Sequence, residues 1–254
     1  MSAIRKAYRL TLFLLLLLVG ILATLVFLRH SVPATGFISK IVTGWLGLAA
    51  KVFGVKIKTF GYPMKSKTLF VANHISWLDI LVIGSLVPVH FLSKHEVKTM
   101  PLIGWLATRA GTLYIKRGRK ESASEATIEI TEALKKNHNS LIFAEGTTTD
   151  GNIKRFHGRM LQSAIDADAI IQPIAIFYPR YNTRTNQIET NPAALFIDDI
   201  TAGESMNLIL REPYINVEVH FLEPISATGN TRDELASHAY AEVEEAIKKI
   251  KQDK

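Results

Sequence analysis

The sequence predicts an α/β fold: a mostly parallel central sheet flanked by helices, behind N-terminal membrane-anchoring helices. Three observations lead there. From residue 56 onward short apolar runs alternate with helical patterns, as in units that bury a parallel sheet between helices. Residues 10–28 form a run of 19 without a charge, mostly Leu, Val and Ile. The charge is also lopsided: residues 1–78 hold ten of the 30 Lys and Arg and no Asp or Glu, whereas 79–254 hold 20 basic and 23 acidic residues.

Arg5, Lys6 and Arg9 precede the uncharged run, and Arg29 and His30 follow it. Nineteen apolar residues are enough to enter or span a bilayer. The run exceeds a usual signal-peptide core and lacks a clear small-residue cleavage site after it, which disfavours a cleaved leader. Basic residues at both ends leave the orientation open. Pro33 then separates a second segment. Phe37, Ile41, Trp45, Leu48 and Val52 fall on one side of a helical wheel, and Lys40, Thr43, Gly44, Gly47 and Lys51 on the other. Such a helix either lies in the membrane interface or faces a core, and its glycines would admit close packing against the first helix. The basic N-terminal third suits nucleic acid or an anionic membrane surface. The apolar segments among its charges favour the membrane, and no nucleic-acid partner is expected.

Beyond these, strands are predicted at 56–60, 68–72, 90–93, 112–116, 140–144, 170–176 and 216–222, and helices at 75–86, 98–110, 121–137, 157–167 and 231–250. Thr231 through Glu234 form a capping-box pattern opening the last helix. Residues 180–213 are polar and read as an irregular excursion. The chain contains no cysteine, which excludes a disulfide framework, Cys-ligated zinc and a Cys nucleophile, and fits a reducing compartment.

The chemistry-bearing residues fall at predicted strand ends. His74 and Asp79 follow the 68–72 strand, in Asn73-His74-Ile75-Ser76-Trp77-Leu78-Asp79. Five residues on a regular helix would place the two side chains about 140° apart. They meet only if His74 lies in the turn before the helix and Asp79 inside it. A carboxylate on one ring nitrogen then leaves the other free to take a proton. Lys116 and Arg117 end the next basic strand, and Arg offers a planar fork for a phosphate. Phe143-Ala144-Glu145-Gly146-Thr147-Thr148 ends another, with Gly146 allowing close approach to a ligand and offering an N–H to an oxyanion. Glu145 would accept hydrogen bonds from a substrate or a basic residue. Pro173 opens the 170–176 strand, an ordinary place for proline.

Together, the 73–79 segment, the 111–117 block, Phe143 through Thr147 and the Pro173 strand resemble the four ordered motifs of the glycerolipid acyltransferases, the family of 1-acylglycerol-3-phosphate and related lysophospholipid acyltransferases. The segment 93–105 is similar to the family's linker between its first two motifs. The resemblance implies an acyltransferase catalytic domain over 56–254, behind a membrane-inserted helix at 1–30 and an amphipathic interfacial helix at 31–55. It implies transfer of a fatty acyl group from a thioester of acyl carrier protein or coenzyme A to the free hydroxyl of 1-acyl-sn-glycerol-3-phosphate, giving phosphatidic acid for phospholipid biosynthesis. By motif matching, His74 would be the base and Asp79 its orienting partner. Arg117 and Lys116 would hold the phosphate, Glu145, Gly146 and Thr147 would shape the acceptor site, and Pro173 would support the pocket floor. No cofactor and no metal are expected; membrane lipids are, with the domain at the cytoplasmic face of the inner membrane.

Two positions depart from the pattern. The third motif usually reads Phe-Pro-Glu-Gly-Thr-Arg; here Ala144 replaces the Pro and Thr148 the Arg. The Glu-Gly-Thr-Thr-Thr-Asp-Gly form resembles a branch acting on other lysolipids, among them lyso-ornithine lipid. Lys154, Arg155 and Arg159 are candidates to replace the missing charge. Hydrolysis by a lipase or a zinc enzyme is disfavoured: Gly203-Glu204-Ser205-Met206-Asn207 lacks the second glycine of a nucleophile elbow, and His95-Glu96 has no second His at the required spacing.

Overall fold

The 68–72 run becomes the middle of the sheet. The computed structural model describes residues 2–27, 36–116 and 120–252. In chain order its elements are α1 (Ser2–Phe27), α2 (Gly36–Val52), β1 (Val55–Phe60), β2 (Thr68–Ala72), α3 (Leu78–Leu86), β3 (His90–Lys94), α4 (His95–Thr99), α5 (Ile103–Arg109), β4 (Leu113–Ile115), α6 (Lys120–Lys135) and β5 (Ser140–Phe143). A 3-10 turn (Gly158–Leu161), α7 (Gln162–Asp166), β6 (Ile170–Phe177), β7 (Pro179–Asn182), β8 (Gln187–Thr190), α8 (Ala202–Arg211), β9 (Ile215–Phe221), β10 (Ile225–Ser226) and α9 (Arg232–Gln252) follow.

The sheet runs β1-β9-β6-β2-β5-β3-β4, with β10 beside β6. Five neighbours, β6, β2, β5, β3 and β4, are mutually parallel, while β9 runs antiparallel to β6 and β1 lies parallel to β9. β2 is buried at every position and its apolar character is continuous, because helices cover both faces of a parallel sheet. β9 instead alternates: Ile215, Val217, Val219 and Phe221 are buried while the residues between them are more exposed. α9 lays Leu235, Ala239, Val243 and Ile247 on the core, at helical spacing, and carries the expected capping box at Thr231 and Glu234.

Four details differ from the sequence reading. α3 starts at Leu78 rather than at 75, because the N–H groups of Ile75 and Ser76 turn to a side-chain carboxylate. The 98–110 helix is broken into α4 and α5 at Pro101, which disfavours helical geometry in the residue before it. The 180–213 stretch is not irregular: it holds the β7–β8 hairpin and α8, which opens with a capping box of Thr201 and Glu204. Pro173 lies inside β6 rather than at its start. It falls where β6 passes from pairing with β10 to pairing with β9, a break in the ladder where a missing N–H costs least.

α1 is long and apolar enough to cross a membrane, and most of its surface is exposed. α2 is held between α1 and α3: the Trp45 indole donates to the Leu16 carbonyl at 2.9 Å, and a Cβ at Gly20 would lie 2.8 Å from that indole nitrogen. Arg5 donates to the Arg211 carbonyl, and Arg9 to those of Glu212 and Pro213 at 2.7 and 2.8 Å. The cationic end of α1 thus caps the carbonyl end of α8.

Candidate active site

The parallel strands all present their carboxyl ends on one side, where α/β sheets bind ligands. His74 follows β2, Lys94 ends β3, Lys116 follows β4, the 145–149 loop follows β5 and Tyr178 follows β6.

His74 and Asp79 meet as their spacing requires. Nδ1 of His74 lies 2.7 Å from Oδ2 of Asp79, with His74 in the loop and Asp79 in the first turn of α3. The same Oδ2 accepts from the N–H groups of Ile75 (2.8 Å) and Ser76 (3.0 Å), and Oδ1 accepts from the Tyr178 hydroxyl at 2.6 Å. Asp79 is wholly buried, so an unpaired charge there would be costly; four donors and the helix N-terminus offset that cost. Tyr178, itself fully buried, is pushed well above the usual phenol range, first by burial and then by the Asp79 charge, so its hydroxyl stays a donor. With Asp79 accepting at Nδ1–H, Nε2 is the lone-pair nitrogen. The imidazole is stacked on the Phe143 ring, centroids 3.8 Å apart and 13° from parallel.

The loop carrying His74 is held from its backbone as well. Its N–H donates to Oε1 of Glu145 at 2.8 Å, and its carbonyl accepts from the Thr149 N–H at 2.8 Å. Oε2 of Glu145 takes the Lys154 N–H at 2.7 Å. Burial raises the Glu145 carboxyl above its ordinary range, and those backbone bonds pull it back down. Asn73 exchanges two hydrogen bonds with the backbone of Ile176, both 2.9 Å, which ties the loop to β6.

A cavity of about 710 Å³ opens beside His74. Trp77, Ile80, Phe91, Ile142 and Met160 give it apolar walls; Lys94, Lys116 and Arg159 bring positive charge to it. Gly146, Thr147 and Lys116 line it. Glu145 and Pro173 are not among its lining residues: Glu145 braces the two loops, and Pro173 sits in the sheet beside Val71. The Gly146 N–H donates to the Phe143 carbonyl at 3.0 Å, and φ of +69° there is why glycine occupies the turn. Arg117 lies outside the described residues. Thr148 donates to the Phe196 carbonyl, closing the loop where the family's arginine would stand. Of the candidates to replace that arginine, Arg159 lines the cavity, whereas Lys154 and Arg155 do not.

A family model described as Acyltransferase matches residues 55–177. A lyso-ornithine lipid O-acyltransferase of Pseudomonas aeruginosa is 38% identical over 230 residues, 89% of this chain and 86% of that protein. The chain belongs to the acyltransferase family. A 1-acyl-sn-glycerol-3-phosphate acyltransferase of Neisseria gonorrhoeae is 30% identical over 154 residues, 60% of this chain and 59% of the other. The fold is that of the crystal structure of a 1-acyl-sn-glycerophosphate acyltransferase from Thermotoga maritima, with a TM-score of 0.66 and 20% identity over 100% of this chain and 99% of that one. Members of this acyltransferase family act on lysolipids. The matched span takes in the loops after β2 and β5 that meet at His74, and ends one residue before Tyr178. Sequence reasoning missed Tyr178 because its partner is 99 positions away. It also missed Trp77, whose indole donates to the buried Ser205 hydroxyl of α8 at 3.0 Å.

Proposed function

We propose that this acyltransferase moves a fatty acyl group from an acyl thioester to the free hydroxyl of a lysolipid, with a lyso-ornithine lipid as acceptor. The observation that carries the chemistry is the His74–Asp79 pair: Nδ1 held at 2.7 Å by a buried, fully bonded carboxylate, beside an apolar-walled cavity. Nε2 of His74 takes the acceptor's hydroxyl proton as its oxygen attacks the thioester carbonyl. The C–S bond then breaks, and the proton passes from the imidazolium to the departing thiolate. Asp79 stabilises the imidazolium in between. Thiolate is a good leaving group, so one positioned base suffices. The donor is acyl carrier protein or coenzyme A thioester, and no metal or cofactor takes part.

Two observations support the acceptor. The relative from Pseudomonas aeruginosa, matched over most of both chains, is named for lyso-ornithine lipid. Thr148 spends its hydroxyl on Phe196 instead of presenting a guanidinium to a phosphate. Ornithine brings a carboxylate, which suits Arg159 and Lys116 at the cavity. The same two cations favour a second reading, lysophosphatidic acid as acceptor, in which they meet a phosphate. In either case α1 holds the catalytic domain, residues 56–254, at the bilayer that contains the acceptor, at its cytoplasmic face.

The test supplies labelled acyl thioester to the protein in detergent with lyso-ornithine lipid and lysophosphatidic acid side by side, and His74→Ala in parallel. Acylation of lyso-ornithine lipid that vanishes in the variant is the expected result. Acylation of lysophosphatidic acid alone overturns the acceptor assignment. Undiminished transfer by His74→Ala overturns the base.

A further inference from the structure

Four consecutive apolar residues, 100–103, lie open to solvent where α4 turns into α5. Met100, Leu102 and Ile103 are 42%, 37% and 42% exposed, with Pro101 among them. The backbone beneath them is built, not loose. Leu102 has φ +63° and ψ −55°, and the Ile103 N–H returns to the Pro101 carbonyl at 2.7 Å. That is a γ-turn of the rare, strained hand, with a leucine at its centre. It is locked on both sides: the Gly104 N–H donates to the Met100 carbonyl at 2.9 Å, and a Cβ at Gly104 would lie 2.3 Å from the Lys98 carbonyl. A leucine at positive φ persists only where its surroundings over-determine it, and such strain gathers at working sites. Here it thrusts an apolar tip outward, which water does not reward.

The occupant that fits is a bilayer. α5 packs against α1, the helix long and apolar enough to cross a membrane. β3 and α4, which lead into the turn, place Lys94 and Val97 on the lining of the cavity beside His74. The turn therefore joins a helix that packs on the membrane helix to a segment that lines the reaction chamber. Behind it, a concavity of about 490 Å³ carries Lys98, Trp105 and Arg109, cations and an indole of the kind that sit at a headgroup layer. The geometry points to residues 100–103 as a second membrane contact, a wedge inserted beside α1 among anionic headgroups, where the acceptor lipid leaves the bilayer for the cavity. This rests on the reading of α1 as a membrane helix and of the acceptor as a lipid.

The absence of cysteine makes depth measurement direct. Leu102→Cys, Leu18→Cys in α1 and Ile128→Cys on α6, an exposed apolar position at 63%, each receive one environment-sensitive fluorophore in the full chain. The labelled proteins are reconstituted into phosphatidylcholine–phosphatidylglycerol vesicles, with and without brominated acyl chains. The expected result is bromine quenching at Leu102 at least about twice that at Ile128, as for an apolar surface sunk into the acyl boundary. In parallel, Met100→Ser with Ile103→Ser should lose about five-fold or more of the rate on acceptor embedded in vesicles, and keep its rate on a short-chain, water-soluble acceptor, the pattern of a weakened interfacial contact. An unquenched Leu102 probe overturns the wedge. If Leu18 is quenched in that experiment, α1 remains a membrane helix and only the turn fails; if neither is quenched, the membrane reading of α1 fails too. A Leu102 probe shielded by acyl carrier protein and not by lipid overturns it as well, and makes the turn a protein-docking surface.

Discussion

Replacing Tyr178 by Phe removes one hydroxyl from the buried end of the site and nothing else of consequence. That hydroxyl donates to Oδ1 of Asp79 at 2.6 Å, while the other three donors converge on Oδ2. The carboxylate should keep its orientation, because the Ile75 and Ser76 N–H groups still hold Oδ2. What changes is the hydrogen bond itself: with the other three donors on Oδ2, Oδ1 is left buried without its donor. A hydrogen bond to a charged group contributes about 1.5–3 kcal/mol net, so the variant should be less stable than the parent by about that amount. Burial and the Asp79 charge hold Tyr178 protonated, so the parent's hydroxyl remains the donor. The loss should shrink in an Asp79→Asn background, because the charge that the hydroxyl serves is then gone. The assay is denaturant unfolding of the parent, Tyr178→Phe, Asp79→Asn and the double variant in detergent. A Tyr178→Phe variant that unfolds with the parent, or a loss that is unchanged in the Asp79→Asn background, refutes the reasoning.

Other outcomes follow from the same geometry. His74→Ala and Asp79→Asn should each cost about 10²–10⁴-fold in turnover without changing the circular dichroism spectrum, as expected for loss of a positioned base. Arg159→Ala should raise KM for lyso-ornithine lipid, whose carboxylate it would hold, by about ten-fold or more and leave kcat near the parent value, because it removes uniform binding. Thr148→Arg should raise the ratio of lysophosphatidic acid to lyso-ornithine lipid acylation in a competition assay. Gly151→Ala should lower thermal stability, since φ is +91° and the new Cβ would lie 2.2 Å from Oγ1 of Thr190; a melt unchanged from the parent would contradict it.

The sheet was readable because each strand is short, apolar and bounded by turn residues. The His74–Asp79 contact was readable because a five-residue spacing has one productive arrangement. Glu145 was legible as a site residue but not in its role: nothing local reveals that one oxygen takes the His74 N–H of another loop while the other takes the Lys154 N–H further along its own. α8 was hidden in a polar stretch because only Ser205, Ile209 and Leu210 are buried, too few to print a periodicity, although Thr201 and Glu204 carried the capping signal. Tyr178 and the Trp77–Ser205 bond depend on partners 99 and 128 positions away, beyond any local pattern.

The strand order has a consequence for how the molecule is made. β9 lies between β1 and β6, so β1 has no hydrogen-bonded neighbour in the sheet until residues 215–221 have been synthesised. The arginines of α1 likewise wait for the carbonyls of residues 211–213. The helix suited to the bilayer is synthesised well before the strand that closes the sheet. Between the two, the emerging chain carries an open sheet edge, a state prone to wrong pairing. Lys56 and Lys58 alternate along that strand, and charged side chains of this kind blunt an unpaired edge.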